Sequence, residues 1–268
     1  MCGQLGIIYC VKDRRPEEQS YLKWLFMYLL LLSERRGPYA TGVSWLRDDG
    51  THNIFKRPVR AAEFVKERQF VDLISEVDNN TTWLAGHTRW PTRGTVHMIA
   101  NAQPLRASRI IGTHNGTIFN ADELFRRLRL PRFAEVDSEI IFRMADDALR
   151  DGRIDVTVLK ERLALCRGQI SAVMASKLDP GTVVMIKGNM PLELRYHPEH
   201  QAIVYASDPA YLDVALASDP GWEQVVTKPM SIMTFRCHSI PQFELESFHL
   251  RNKTRLPRAT PENARQLA

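Results

Sequence analysis

Runs of apolar, β-branched positions alternate along this chain with amphipathic stretches, and the two periods predict its strands and helices. Residues 3 to 11 (GQLGIIYCV) are almost all apolar and stop at the charged cluster KDRRPEE, which predicts a buried first strand. Pro16-Glu17-Glu18 then opens a helix, because proline fits a first turn and acids suit the positive end of the helix dipole. That helix is expected to run to about Glu34 and to end before Arg36-Gly37-Pro38. TGVSWLR and THNIFKR flank Asp48-Asp49-Gly50, a hairpin pattern. A helical stretch follows from Ala61 to Val77, then a strand over TTWLAGHTRW and a loop from Pro91 to Pro104.

SRIIGTHNG reads as another strand, Asp122 to Leu130 and Ser138 to Arg150 as helices, and Val156 to Cys166 as a shorter helix. From residue 169 the texture turns strand-rich: QISAVMA, TVVMIKG, LELRYH, AIVYAS, WEQVVT and SIMTFR, with a helix over Asp208 to Ala217. Strands at both ends with helices between predict an α+β fold, with sheets packed face to face under helical layers. One domain is expected over residues 2–240, followed by a polar, basic tail over 241–268 that is loosely ordered or docked on a partner.

Composition narrows the class. With 44% hydrophobic and 25% charged residues, the 268-residue chain is that of an ordinary globular protein. The most apolar stretch, Tyr21 to Leu32, is about half the length that crosses a bilayer and contains Lys23, so no membrane span is expected. The formal charge is +5, but Lys and Arg are scattered, which favours a solvated basic surface over nucleic-acid binding. Cys2, Cys10, Cys166 and Cys237 fit neither a zinc motif nor a disulfide framework. No metal or cofactor is implied, and a reducing cytoplasm is the expected compartment.

The chemistry concentrates in a few short segments. If the initiator methionine is removed before Cys2, thiol and free α-amine share one residue, and an amine titrating near ~8 can take the thiol proton. A small residue starting a strand is the plain alternative. Gly86-His87-Thr88-Arg89-Trp90-Pro91-Thr92 puts a guanidinium just past a strand end, suited to bidentate capture of a carboxylate or simply a surface arginine. His114-Asn115-Gly116 also follows a strand. An Asn amide and a Gly N–H can aim two donors at one oxygen, although an ordinary Asn-Gly turn looks the same. Asp137-Ser138-Glu139 starts a helix, where Asp137 is a candidate N-cap or a partner for an α-ammonium group. In this order the groups outline a pocket for an amino acid with a side-chain carbonyl.

These segments resemble the class II glutamine amidotransferase domains of glucosamine-6-phosphate synthase and amidophosphoribosyltransferase, and more distantly asparagine synthetase. The resemblance rests on Cys2-Gly3, Arg36-Gly37 to Gly42, Gly86 to Trp90, Asn101-Ala102-Gln103-Pro104, His114 to Gly116 and Asp137 to Glu139, over roughly residues 2 to 235. It implies a four-layer αββα sandwich of the N-terminal nucleophile hydrolase type. It also implies that Cys2 is the nucleophile and that Asn115 and Gly116 form an oxyanion hole. Arg89 would bind the glutamine α-carboxylate and Asp137 the α-ammonium, with Trp90 to about His97 closing over the substrate and Thr92 contributing contacts.

Arg93 stands where the glucosamine-forming enzymes carry histidine, and the Cys2-to-Arg89 interval is longer than usual, which suggests an insertion near residues 58–80. Only about 30 residues follow the last expected strand, too few for an acceptor domain, so a separate ammonia-accepting synthetase or transferase is the expected partner. Two alternatives stay open: an amidohydrolase acting on another γ-glutamyl amide, and a non-catalytic regulatory module. The sequence leaves the oligomeric state undefined.

Overall fold

The computed structural model describes residues 2–251. Its first half runs β1 (Gly3–Tyr9), α1 (Pro16–Ser33), β2 (Ala40–Arg47), β3 (His52–Arg57), α2 (Ala61–Phe64), α3 (Arg68–Ser75) and β4 (Thr81–Arg89). Then come β5 (Leu105–Ala107), β6 (Ile110–Ile118), α4 (Ala121–Leu128), α5 (Glu139–Asp147), β7 (Leu149–Arg150), β8 (Arg153–Ile154) and α6 (Val156–Leu163). The last part is β9 (Gly168–Ser176), β10 (Asp179–Lys187), β11 (Glu193–His197), β12 (Ala202–Ala206), α7 (Pro209–Leu216), β13 (Glu223–Val225), β14 (Ser231–Arg236) and β15 (Phe243–Ser247).

Two antiparallel sheets carry the fold, ordered β13-β11-β12-β1-β4-β2-β3 and β15-β14-β10-β9-β6-β5. Side-chain alternation along the strands sorts the core into three layers. Leu5, Ile7 and Tyr9 face α1 and α7, with Leu22, Phe26 and Leu212 among their partners. Ile8 points the other way, into an inter-sheet core with Trp83, Val173, Met185, Tyr205 and Phe235. On the far side Ile110, Ala172 and Ile186 meet Ile140, Ile141 and Leu159 of α5 and α6. The result is helices, sheet, sheet, helices, the αββα sandwich implied by the motifs. Between the sheets the indole N–H of Trp83 donates to the Tyr205 hydroxyl at 3.0 Å, so a buried polar pair is satisfied.

Two differences from the sequence reading have physical causes. The helical stretch 61–77 is split, with Glu67 extended between α2 and α3. Residues six apart on one helix lie about 240° apart, so an unbroken helix could not bury both Phe64 and Phe70. The break re-phases them into one cluster, with ring centroids 5.4 Å apart. At the other end, β15 pairs along β14 and Phe248 is buried, so the sheet continues past residue 240 into the segment assigned to the tail. The rest of that expected tail, 252–268, lies outside the described residues.

Candidate active site

The site forms where β1 begins, β4 ends and β6 of the other sheet passes beneath them. Gly3 pairs with Thr88, which brings Cys2 beside Arg89 and Trp90. A side chain at residue 3 would strike Thr88 and Ser33, so only glycine lets the strand start this close. The Cys2 carbonyl accepts from Arg36 Nε at 2.9 Å and from Asn115 Nδ2 at 3.0 Å, the second bond tying one sheet to the other. Gln4 reinforces that tie: its amide donates to the carbonyl and hydroxyl of Thr113, both at 2.9 Å, and accepts from Ser171 Oγ at 3.0 Å.

The Cys2 sulfur accepts the Trp90 N–H at 3.2 Å and lies 3.3 Å from the Trp90 carbonyl, within reach of its own S–H. Burial pushes the thiol above its ordinary range, against the pull of the Trp90 N–H and the Arg89 and Arg36 charges. A neutral thiol of this kind needs a base before it can attack.

Arg89 is buried and donates to the carbonyls of Thr95 (3.1 Å), Arg93 (2.8 Å) and Gly94 (3.0 Å). Those three bonds leave two of its five N–H groups for a ligand. Trp90 is exposed and meets Tyr39 edge-on, with centroids 5.2 Å apart. Thr92 borders the cavity next to Cys2, and Arg93 also borders it while pairing with Asp122 at 2.7 Å. Asp137 is buried and does not cap α5, whose N-cap is Ser138 without a side-chain bond. Its Oδ2 turns instead to the Ile118 N–H at 2.5 Å, and Oδ1 has no hydrogen-bond partner among the described residues. Gly116 has φ +134°, and a Cβ there would strike the Gln169 carbonyl, which reserves the position for glycine.

Cys2, Arg89, Trp90, Thr92, Gly116 and Asp137 line one narrow cleft, and Asn115 borders the adjoining one beside Cys2. The sequence-derived set is thus assembled in space from four separate segments. Beneath Asn115 lies His87, fully buried and held neutral, its pKa depressed to about 3 by burial.

Supporting roles that the sequence did not assign also emerge, some on residues already inside the motifs. Gln103 and His114 bond reciprocally through amide and backbone, at 2.9 and 2.6 Å. Glu135 accepts from the Thr95 N–H at 2.9 Å and from Asn101 Nδ2 at 2.8 Å, clamping the loop that Arg89 holds from inside. Glu135 lies two residues before Asp137, in a bend outside any helix or strand, where no periodic signal marks it. Glu135→Ala frees that loop and is expected to raise KM for the substrate about tenfold while changing kcat less, as steady-state kinetics would show.

Glu139 braces the same segment. It accepts from the N–H groups of Phe133 and Ala134 and pairs with buried Arg143 at 2.8 Å. Removing it strands a buried cation, so Glu139→Ala is expected to cost about 3 kcal/mol in denaturant unfolding.

The fold is the αββα sandwich of the N-terminal-nucleophile type, and the site gathers a thiol, a guanidinium, an amide and a carboxylate at one end of β1. No protein-family model matches the chain. It is 34% identical over 202 residues to glutamine--fructose-6-phosphate aminotransferase (isomerizing) of Mycobacterium tuberculosis, covering 72% of this chain and 30% of that protein. The same-named protein of Geobacillus kaustophilus is 31% identical over 197 residues, with the same coverage. A 7-cyano-7-deazaguanine synthase of Sulfolobus acidocaldarius is 23% identical over 215 residues, covering 80% of this chain and 44% of that protein. The chain therefore spans less than half the length of these relatives.

Among solved structures, glutamine phosphoribosylpyrophosphate amidotransferase from B. subtilis shares the fold. Its TM-score is 0.68 at 19% identity, over 92% of this chain and 49% of that one. A class-II glutamine aminotransferase domain protein from Silicibacter pomeroyi aligns at TM-score 0.55 and 14% identity, over 92% and 99% of the two chains. In particular, this chain is a relative of the class II glutamine amidotransferase domains, as its motifs implied.

Proposed function

We propose that this domain hydrolyses glutamine through a γ-glutamyl thioester on Cys2 and hands the ammonia to a synthetase or transferase module. The observation that carries the reading is the convergence of Cys2, Arg89, Gly116 and Asp137 on one cavity, with Asn115 bound to the Cys2 carbonyl. The two free donors of Arg89 take the α-carboxylate, and the unpartnered oxygen of Asp137 takes the α-ammonium. The Cys2 sulfur then attacks the amide carbon while its proton passes to its own α-amine, freed by loss of Met1.

Charge developing on the amide oxygen is met by the second N–H of Asn115 Nδ2 and by the Gly116 N–H. The C–N bond breaks as the α-ammonium returns a proton to the leaving nitrogen, releasing ammonia and leaving the thioester. Water, activated by the same amine, hydrolyses the thioester to glutamate and free thiol. The loop held by Arg89, Asn101 and Glu135 keeps water away until ammonia has gone.

Cys2, Cys10, Cys166 and Cys237 are free thiols. Among the described residues no helix is long and apolar enough to cross a membrane.

Incubating the purified chain with glutamine, with and without an acceptor module, tests the proposal: one ammonia and one glutamate should appear per turnover. Glutamine left intact under both conditions refutes it. The pH dependence has a definite sign. The thiol is held protonated by burial, so the base must be a neutral amine, and kcat/KM is expected to rise with pH to a plateau above about 8. A profile flat from pH 6 to 9 would remove the α-amine from its role.

A further inference from the structure

A second group of chemically active side chains sits at the opposite end of β1 from Cys2. Tyr9, at that end, pairs with Ala202, and Ala202 pairs with His197, roughly 20 Å along the strand from the thiol. His197 closes β11, and the turn to β12 brings His200 back over it, with ring centroids 4.0 Å apart. Asp219, between α7 and β13, faces both rings. Its Oδ1 is 3.4 Å from His197 Nε2 and its Oδ2 is 3.8 Å from His200 Nε2. One ligand atom from each residue fits within 4.8 Å of the others.

We propose that His197, His200 and Asp219 form a zinc site, completed by water, that fastens the β11–β12 turn to the α7–β13 segment. Neighbouring ligand atoms in a tetrahedral zinc site with N and O donors lie about 3.3 Å apart, so small side-chain shifts close this one. Two imidazoles and a carboxylate suit Zn2+ better than the hard cations, which take oxygen ligands.

The surroundings orient the ligands. Glu18 Oε1 lies 3.3 Å from His200 Nδ1, placed to accept its N–H and leave the Nε2 lone pair free, and Lys12 holds Glu18 at 3.0 Å. Tyr21 Oη and Trp222 Nε1 each donate to Asp219 Oδ2 at 3.0 Å, and the Gly221 N–H donates to Oδ1 at 3.2 Å. A side chain at 221 would strike His197 Nε2, so glycine keeps that nitrogen accessible. One bond is forgone. The His200 N–H donates to His197 Nδ1 at 3.3 Å, and metal on Nε2 moves the ring proton to Nδ1. A long N–H···N contact is weak beside a metal–nitrogen bond.

The test uses the full chain stripped with a chelator and titrated with Zn2+ against a chromophoric chelator, then with Co2+ for its spectrum. The expected result is one Zn2+ per chain and tetrahedral Co2+ bands without a thiolate charge-transfer band. Zn2+ should also raise Tm. His200→Ala and Asp219→Asn should each weaken binding at least 100-fold and remove the Tm shift, and Glu18→Gln, which spares the ligands, should weaken it about tenfold. No saturable binding by the wild-type chain overturns the proposal, as does a thiolate band or binding unchanged in all three variants. None of these readouts depends on glutamine turnover, so the site stands or falls separately from the proposed activity.

Discussion

Cys2→Ala is expected to lower ammonia release from glutamine by about 1,000-fold or more while leaving the chain folded. Structure and chemistry separate cleanly at this residue. What braces the fold is the Cys2 carbonyl, held by Arg36 and Asn115, and a side-chain substitution leaves it in place. The sulfur itself touches only the Trp90 backbone by hydrogen bond, so alanine forfeits one weak contact and the nucleophile. Cys2→Ser keeps the size but raises the cost of deprotonation, and it should lose nearly as much. Far-UV circular dichroism and urea unfolding, run beside the glutaminase assay, check both halves. Loss of activity together with the fold would place Cys2 among the structural residues.

Asn115→Ala should reduce kcat by about 100- to 1,000-fold, the usual cost of removing one oxyanion donor. Its Nδ2 carries two hydrogens: one bonds the Cys2 carbonyl, and the other is free to meet the developing charge. The alanine variant therefore loses a transition-state contact and one of two bonds positioning the nucleophile. Asn115→Asp discriminates further. It keeps the shape but brings an acceptor, and negative charge, to where charge develops, so it should be at least as damaging. Stopped assays at saturating glutamine would measure both. A change in KM alone would assign Asn115 to substrate binding and leave the oxyanion to other groups.

Most of the fold is legible because hydrophobic period and punctuation agree. Tyr21 to Leu32 behind Pro16-Glu17-Glu18 becomes α1, and Asp48-Asp49-Gly50 becomes the β2–β3 turn. What escapes is set by distant partners. β5 and β15 are short edge strands of mixed polarity (LRA and FELES), defined by the strand beside them more than by their own residues. The break between α2 and α3 carries no Gly or Pro, and only the need to bury Phe64 with Phe70 produces it.

The same division holds at the site. Cys2 and Arg89 flank strand ends as expected, while Asn115 and Gly116 lie within β6 rather than after it and Asp137 in the turn before α5, yet the chemistry of each advertises itself. Gln103 and Glu135 act through backbone groups on other segments, and no local pattern announces such a bond. Of the two readings left open for Asp137, the N-cap is the one the structure removes, since the Ile118 N–H takes the carboxylate.

The central claim is that Cys2 attacks a glutamine amide with its own amine as base. The most direct measurement treats the protein with a glutamine-analogue electrophile, followed by intact mass and peptide mapping. One adduct on the Cys2 sulfur is predicted, with the α-amine free and unmodified, and excess glutamine should slow its formation. No adduct, or one on Cys10, Cys166 or Cys237 with Cys2 untouched, would contradict the account.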